Sequence, residues 1–342
     1  MKTLTAVRFV LDVSITVALL AGCAALQPIG APEVVQPAQT GGVRPDRSKS
    51  WMKASSSKAL LYFDDDITND TYVYEYPSGK MVGTLTGFHD PQGMCVDQKG
   101  DVYVTNPQFG LLFEYAHGGT KPINIYERPG SGLTGCSVSA HRDVAATGGN
   151  EVCIWRGGIS AHSPTCIDGD KSTGCSGFST FGYDHDGNLI GIGTMDTISG
   201  ISTTACMIPA GGTAMEKLST SGIRFNFSVR GAAWDGEYIT LAGVKGNGDV
   251  VQAATLSGTT LTGVGREIQL DDQAFMPGSP FFFGKQNITA ASTTRATSAT
   301  IANPRYPRGA ADVWDYPKGG KEPLLRIRAA RDSGSDAVSI AE

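Results

Sequence analysis

The chain carries the stretch Gly93-Met94-Cys95-Val96-Asp97-Gln98-Lys99-Gly100-Asp101-Val102-Tyr103-Val104. It consists of a short apolar run, a polar turn that contains glycine, and a second apolar run. This order predicts two antiparallel strands joined by a tight turn. Related stretches recur at 135–144, 183–190, 234–239 and 283–288. The hairpin is therefore a repeated unit.

A second repeated element accompanies these hairpins, namely a strand with aromatic and acidic residues that runs into a glycine turn. Clear copies lie at 72–80, 112–119 and 312–320, and weaker ones at 152–158, 205–212 and 251–258. The second strand of each unit starts near 59, 101, 143, 188, 237 and 287. Four short strands with a period of about 40–50 residues are typical of propeller blades. We therefore predict an all-β fold, a six-bladed β-propeller spanning residues 59–342.

The two ends of the repeat array complete each other. The first unit opens at 59–63 with a second strand and has no innermost strand before it. Residues 336–340 have the pattern of an innermost strand and follow the last unit. We expect this C-terminal strand to pair with the N-terminal blade and close the ring, which removes exposed sheet edges.

The stretch from Pro91 to Val102 resembles the blade motif of NHL-repeat propellers, in which Pro-x-Gly precedes an apolar residue, Val-Asp, and a Gly-Asp or Gly-Asn turn. The stretches 50–52, 60–62, 76–80 and 114–120 resemble a group of uncharacterised bacterial exported propellers. This resemblance implies the six-bladed fold and carries no function with it.

The N-terminus predicts export. Lys2 and Arg8 precede an apolar run from Val13 to Leu26, which is shorter than the about 20 residues of a membrane-spanning helix. Such a segment is typical of a signal peptide. Its end, Leu20-Ala21-Gly22-Cys23, resembles the lipobox of bacterial lipoproteins, which implies that Cys23 is lipidated and that the protein resides in the cell envelope, at the outer membrane or cell surface. Asp12 departs from the apolar pattern, and the alternative is a secreted protein.

Composition sets further limits. Residues 1–22 are assigned to the signal peptide and 23–58 to a tether rich in Pro, Gly and Ser. The 44 glycines and the low charged fraction of 18% indicate many turns and few amphipathic helices. A net charge of −5 argues against nucleic acid as a partner, because phosphate binding needs a basic stripe.

Candidate ligand-binding residues lie where the innermost strands begin. Aligning these strands on Val96 brings six polar residues into register. They are Gln92, Thr134, Ser179, Arg230, Ser279 and Asp336. His89 precedes the same strand, whereas the other four histidines fall in turns of the opposite face. We predict a ligand site at this channel mouth, with a water-filled polar channel as the alternative.

Enzymatic signals are weaker. The ring offers one carboxylate, Asp336, whereas gluconolactonase-type propellers hold a divalent metal with several carboxylate and amide groups. A streptogramin-lyase-like site needs catalytic histidines in register, and only His89 fits. The sequence lacks a Gly-x-Ser-x-Gly elbow. The acidic stretch 64–70 and the stretch 184–188 are candidates for calcium, but solvated turns explain both. We predict no catalytic residues, no cofactor and no metal site, and keep calcium open.

Six cysteines remain after Cys23, and an even number predicts disulfides in an oxidising compartment. Cys153 is a candidate partner of Cys166 across a hairpin, and Cys166 with Cys175 is the alternative. Buried thiols remain open for Cys95 and Cys136, both on innermost strands.

The sequence thus predicts a monomeric, lipid-anchored binding or scaffold module that takes a protein or small-molecule ligand on its loop-rich face. The longest loops there are expected at 194–203 and 294–310. The alternative is a metal-assisted lactonase, hydrolase or lyase at the channel mouth.

Overall fold

The computed structural model describes residues 33–35, 49–53, 58–66, 68–128, 132–158, 163–197, 200–223, 228–245, 248–270, 281–283, 286–291, 310–320, 322–328 and 336–340. The chain divides into the units Met1–Gly30, outside these residues, and Ala31–Glu342, which holds every described strand. Within the described ranges, no helix has the length and apolar character needed to span a membrane.

The described part of the second unit contains short strands and the 3-10 turn Pro107–Phe109. Over the described residues the first strands are β1 (Glu33–Val35), β2 (Trp51–Met52), β3 (Ala59–Asp65), β4 (Asp70–Glu75), β5 (Lys80–Leu85), β6 (Met94–Val96), β7 (Val102–Asn106), β8 (Leu111–Tyr115), β9 (Pro122–Glu127), β10 (Gly135–Val138), β11 (Val144–Gly148), β12 (Glu151–Trp155) and β13 (Thr165–Asp168). They are followed by β14 (Phe178–Tyr183), β15 (Leu189–Thr197), β16 (Gly200–Ile208), β17 (Glu216–Lys217), β18 (Ser219–Ser221), β19 (Ser228–Trp234), β20 (Ile239–Lys245), β21 (Gly248–Ser257), β22 (Thr260–Leu270), β23 (Phe281–Phe283), β24 (Gln286–Ala291), β25 (Ala310–Asp315), β26 (Leu325–Arg328) and β27 (Asp336–Ile340).

Among the described residues these strands form six sheets, numbered here in chain order and written from the innermost strand outward. Sheet 1 is β27-β3-β4-β5-β2, sheet 2 is β6-β7-β8-β9, and sheet 3 is β10-β11-β12-β13. Sheet 4 is β14-β15-β16-β17, sheet 5 is β19-β20-β21-β22-β18, and sheet 6 is β23-β24-β25-β26-β1. The four inner strands of each sheet are antiparallel neighbours.

The sheets are arranged in a ring. Neighbouring innermost strands contact each other in the order β27, β6, β10, β14, β19, β23 and again β27. A buried apolar cluster lies at each junction between neighbouring sheets, the junction of sheets 6 and 1 included. Because every sheet buries both faces against its neighbours, the strands are apolar on both sides. The all-β propeller fold predicted from the repeats is confirmed.

The C-terminal strand β27 pairs with β3, from Asp336 opposite Phe63 to Ile340 opposite Ala59. It also contacts the first turn of sheet 2, where a Cβ on Gly100 would lie 2.1 Å from the Ile340 oxygen. Gly100 has a φ of +84°, so both its backbone conformation and this close contact require glycine. The Ser339 hydroxyl donates to the Gly100 oxygen, and the His117 ring, through Nδ1, lies 2.7 Å from Ser339 Oγ.

Two segments of the predicted tether, 23–58, are strands. β1 pairs in parallel with β26 at the outer edge of sheet 6, and β2 pairs with β5 at the outer edge of sheet 1. Met52 packs against the apolar cluster between sheets 1 and 2. The boundary near residue 59 is therefore too late for these two segments. Their apolar pairs, Val34-Val35 and Trp51-Met52, are too short to show strand periodicity in the sequence.

Three disulfides join the six remaining cysteines. Cys95–Cys136 links the innermost strands of sheets 2 and 3, and Cys153–Cys166 links β12 to β13 within sheet 3. Cys175–Cys206 links the segment before sheet 4 to β16. Of the two pairings open for Cys166, the structure contains the one with Cys153. The alternative with Cys175 is wrong, as are buried thiols for Cys95 and Cys136.

The predicted loop at 194–203 is also wrong. β15 and β16 continue their ladder through Thr194–Thr203, Met195–Ser202, Asp196–Ile201 and Thr197–Gly200. The threonines and β-branched residues of this segment favour a long hairpin over an open loop. The other predicted loop, 294–310, lies outside the described residues except for Ala310, which begins β25.

Candidate functional site

The innermost strands of sheets 2 to 5 end around a cavity of about 340 Å³. Its walls come from the last residues of β6, β10, β14 and β19 and from the turns that follow them. We call this end of the ring the turn face, and the opposite end, where the innermost strands begin, the start face. The cavity therefore lies at the end of the channel opposite to the predicted ligand site.

A polar side chain caps each turn around this cavity. It is the first residue after the innermost strand and accepts main-chain N–H groups two to four residues ahead. These caps are Asp97, Ser139, Asp184 and Asp235. The distances for Asp184 Oδ1 are 3.0 Å to the Asp186 nitrogen and 2.8 Å to the Asn188 nitrogen. These side chains are used to hold the turns, as Asp and Ser commonly are.

An aromatic pair forms one side of the same cavity. The His185 ring stacks on Trp234, with centroids 6.4 Å apart and an interplanar angle of 28°. His185 is exposed and Trp234 is half-buried. A flat apolar surface beside an exposed imidazole suits a ligand that stacks and accepts or donates a hydrogen bond. Trp234 was placed in a hairpin by the sequence repeats but not in a site, because a single tryptophan in a repeat has no signal of its own.

The six-residue ring predicted at the start face is only partly described. Gln92 is half-buried, and its Nε2 donates to Asp90 Oδ2 at 2.7 Å. Thr134 lies beside it, since a Cβ on Gly93 would be 2.5 Å from the Thr134 oxygen. This contact joins the main chains of Gly93, the residue after Gln92, and Thr134. Of the other four, Ser179, Arg230 and Asp336 lie on β14, β19 and β27 with side chains outside the described part, and Ser279 is outside it entirely. This ring stays a prediction.

His89 at the start face has an aromatic partner. Its main-chain nitrogen donates to Asn106 Oδ1 at 3.0 Å, and its ring lies edge-on to Phe109 with centroids 5.0 Å apart. Phe109 is 52% exposed, the largest value among the exposed apolar side chains of the described residues. The pair forms an exposed aromatic surface suited to contacts with a ligand or protein. Sequence reasoning missed Phe109 because it lies in the 3-10 turn, outside the aligned strands.

Three carboxylates approach each other at the turn of sheet 2. Oxygens of Asp97, Asp101 and Glu114 lie within 4.8 Å of one another. Burial raises the pKa of Asp101, with the negative charges of Asp97 and Glu114 contributing in the same direction. Glu114 is buried and accepts from Tyr126 Oη at 2.8 Å and from Asn124 Nδ2 at 2.7 Å. Oxygen ligands suit a hard cation, but Ca²⁺ takes six to eight of them.

The acidic stretch 64–70 does not form such a group. Asp64 accepts from Thr71 Oγ1 at 2.6 Å and Asp65 accepts from the Thr68 nitrogen at 2.9 Å. No group of three close ligand atoms was found there among the described residues. A second set, Glu151 with Cys153 and Cys166, contains disulfide sulfurs, which are unsuited to metal binding.

A second cavity, of about 930 Å³, lies between sheets 5 and 6. Tyr316 Oη donates to Asp235 Oδ2 at 2.6 Å across this junction, and Thr240 Oγ1 lies 3.2 Å from the same hydroxyl. Burial, together with the hydrogen bond to Asp235, raises the pKa of Tyr316. The tyrosine therefore stays neutral and joins the two sheets.

The chain matches no protein-family model and no curated protein. Among solved structures it is similar to the WD40 repeats of RRP9, with a TM-score of 0.51 and 11% identity over 74% of this chain and 76% of that one. Virginiamycin B lyase from Staphylococcus aureus aligns with a TM-score of 0.48 and 15% identity over 72% and 78%. Hydrazine synthase from Kuenenia stuttgartiensis aligns with 0.49 and 12% over 67% and 72%. At 11% identity the likeness to the RRP9 repeats concerns the fold alone, and it supports the propeller assignment.

Proposed function

We propose that the protein is an exported binding or scaffold module, anchored to the cell envelope by a lipid on Cys23, that acts by recognition. The observation that carries the binding role is the cavity of about 340 Å³ on the turn face, with Trp234 and His185 in its wall. The start-face ring, from Gln92 to Asp336, with the His89–Phe109 pair beside it, is a second surface of the same proposal.

Two features support recognition in an exported protein. The carboxylates in the cavity wall, Asp97 and Asp184, accept main-chain N–H groups, so they hold turns and are poorly placed for acid–base chemistry. The three disulfides favour an oxidising compartment, where such bonds persist.

The binding role is tested by placing a photocrosslinking phenylalanine analogue at His185 in envelope-bound protein. We expect a discrete cross-linked species. The same analogue at Lys217, an exposed position on β17 of sheet 4, is the matched control. Identical products from both positions, or none from His185, would contradict the role of this cavity.

The anchor is tested by mass spectrometry of the exported protein. We expect an N-terminal fragment that begins at Cys23 and carries the mass of a diacylglyceryl group. A mature chain with an unmodified Cys23 would refute lipidation and favour the secreted alternative.

A metal-assisted hydrolase, lactonase or lyase is the second candidate, and the Asp97–Asp101–Glu114 group is the observation that favours it. Burial and, after it, the charges of Asp97 and Glu114 raise the pKa of Asp101, and a cation there would relieve the repulsion among these carboxylates. Calcium titration followed by the melting temperature separates the two functions, because a bound ligand stabilises the folded state. The binding module predicts no shift at millimolar calcium, whereas a clear shift would favour the metal enzyme.

A further inference from the structure

We propose that the outer rim of sheets 6 and 1 rests on an anionic phospholipid surface. This inference deepens the function proposed above and depends on the lipid at Cys23.

The first step is the reach of the chain. β1 fixes Glu33–Val35 to the outer edge of sheet 6 by parallel pairing with β26. An extended residue covers about 3.5 Å, so the chain from Cys23 to Glu33 spans at most about 35 Å. A membrane-inserted lipid on Cys23 therefore keeps this rim near the bilayer, because the tether is pinned soon after it begins.

The second step is the face of β2 that is turned away from sheet 2; β2 belongs to sheet 1, the neighbour of sheet 6. The Thr86 nitrogen donates to Ser50 Oγ at 3.0 Å, and the Lys53 nitrogen donates to the Val82 oxygen at 2.7 Å, so this segment stays against β5 beyond both ends of β2. Trp51 and Lys53 lie on the side of this segment opposite to Met52, since successive side chains of a strand point to opposite faces, and Lys49 lies in the bend before β2. Met52 is on the inward side, against the cluster between sheets 1 and 2.

The third step is the chemistry of that face. Lys49 and Lys53 are exposed, and Trp51 is half-buried, with Lys53 Nζ 6.0 Å from the centroid of its ring. From residue 47 to residue 63 the chain has four basic residues and no acidic one, although its net charge is −5. Tryptophan favours the membrane–water interface, and lysines near the surface are attracted to anionic lipids. The lipid tether and this basic, aromatic face belong to neighbouring sheets.

The experiment uses the full exported protein reconstituted in vesicles of phosphatidylcholine and phosphatidylglycerol with brominated acyl chains, which quench tryptophan on contact. We expect quenching that is absent in Trp51→Phe and weaker in vesicles of phosphatidylcholine alone. Trp155 and Trp314 are buried and Trp234 lies in the wall of the turn-face cavity, so we expect these three to contribute little to the quenching. Each lysine near an anionic surface strengthens the contact with the membrane about 5-fold. Lys49→Gln/Lys53→Gln should therefore lower the ratio of membrane-bound to unbound rim about 25-fold.

The matched control is Lys171→Gln/Lys217→Gln, which removes the same charge from exposed positions on the side of sheets 3 and 4. We expect quenching equal to that of the parent. Equal loss in both double variants, or Trp51 quenching insensitive to Lys49 and Lys53, would overturn the proposal. Failure of the anchor is distinguishable, because the protein would then carry an unmodified Cys23 and would not float with the vesicles. A lipidated, floating protein whose Trp51 is not quenched overturns the rim contact alone.

Discussion

Sheets 2 to 4 and sheets 5, 6 and 1 are stabilised in different ways. All three disulfides lie in sheets 2 to 4, and each of these sheets has four strands. Sheets 5, 6 and 1 have no disulfide among their described residues, and each carries a fifth, outermost strand, namely β18, β1 and β2. One half of the ring is therefore reinforced by covalent links and the other by additional strand pairing.

The difference shows how a closed ring can be strengthened at separate places. A disulfide lowers the entropy of the unfolded chain, whereas an added strand pairs an exposed sheet edge. The fifth strands of sheets 6 and 1 come from the N-terminal segment, so this segment completes both sheets. The two halves should thus respond to different perturbations.

The largest effect is expected for Cys95→Ser/Cys136→Ser, which removes the link between sheets 2 and 3. This disulfide closes a loop with a sequence separation of 41, so its loss should cost about 4 kcal/mol of unfolding free energy. Denaturant unfolding of the oxidised protein measures it. A loss below that of the within-sheet pair described next would contradict the role of this link in joining sheets.

A smaller effect is expected for Cys153→Ser/Cys166→Ser, because its sequence separation is 13 and both cysteines belong to sheet 3. The loss should be about 3 kcal/mol. The same denaturant series supplies the comparison, and reductant should bring the parent protein below both variants. If reductant left the unfolding free energy of the parent unchanged, the proposed stabilisation of sheets 2 to 4 by disulfides would be wrong.

The strand-reinforced half is tested at Gly83, which lies opposite Met52. A Cβ at this position would lie 2.3 Å from Met52 Sδ and 2.9 Å from the Trp51 oxygen, so Gly83→Ala should displace β2. We expect a loss of about 1–2 kcal/mol that persists under reducing conditions. In a Met52→Ala background the same change should cost less, because the sulfur is absent. Strict additivity of the two changes would contradict the contact.

The smallest effect concerns pH at the contact between His117 and Ser339. Burial lowers the pKa of His117 in the folded protein, so below about pH 6.5 the unfolded chain binds a proton more readily. The stability that the neutral histidine gives the folded protein is fully present above that pH. It is lost as the pH falls through the pKa of His117 in the folded protein. His117→Gln should therefore reduce the fall in melting temperature between pH 8 and pH 5. An unchanged slope would show that this histidine does not contribute.

The repeats predicted the strands well because each turn has its own local signal. The second strands start at Ala59, Val102, Val144, Leu189, Ile239 and Gln286, within two residues of their predicted starts. Gly100 and Gly187 have positive φ, and Asp97 and Asp184 accept the N–H groups of their turns, so the sequence of each turn determines its position.

Features that depend on distant contacts were not predictable in this way. Six cysteines allow fifteen pairings, and spacing alone left both Cys153 and Cys175 open as the partner of Cys166. The outermost strands β1 and β2 were missed because two or three residues show no periodicity. The turn-face cavity was not predicted, because His185 and Trp234 in its wall come from different sheets. The aligned polar residues instead predicted a site at the opposite end of the channel.

The pairing of β27 with β3 has a consequence for biogenesis. Phe63 is synthesised early, but its partner Asp336 follows every other described strand. Until those last residues are synthesised, β3 keeps an unsatisfied edge, and such edges promote aggregation. Contacts of this sequence separation also slow folding. A chain that ends before Asp336 therefore presents a template for intermolecular association, so completion of the C-terminal strand acts as a checkpoint for solubility.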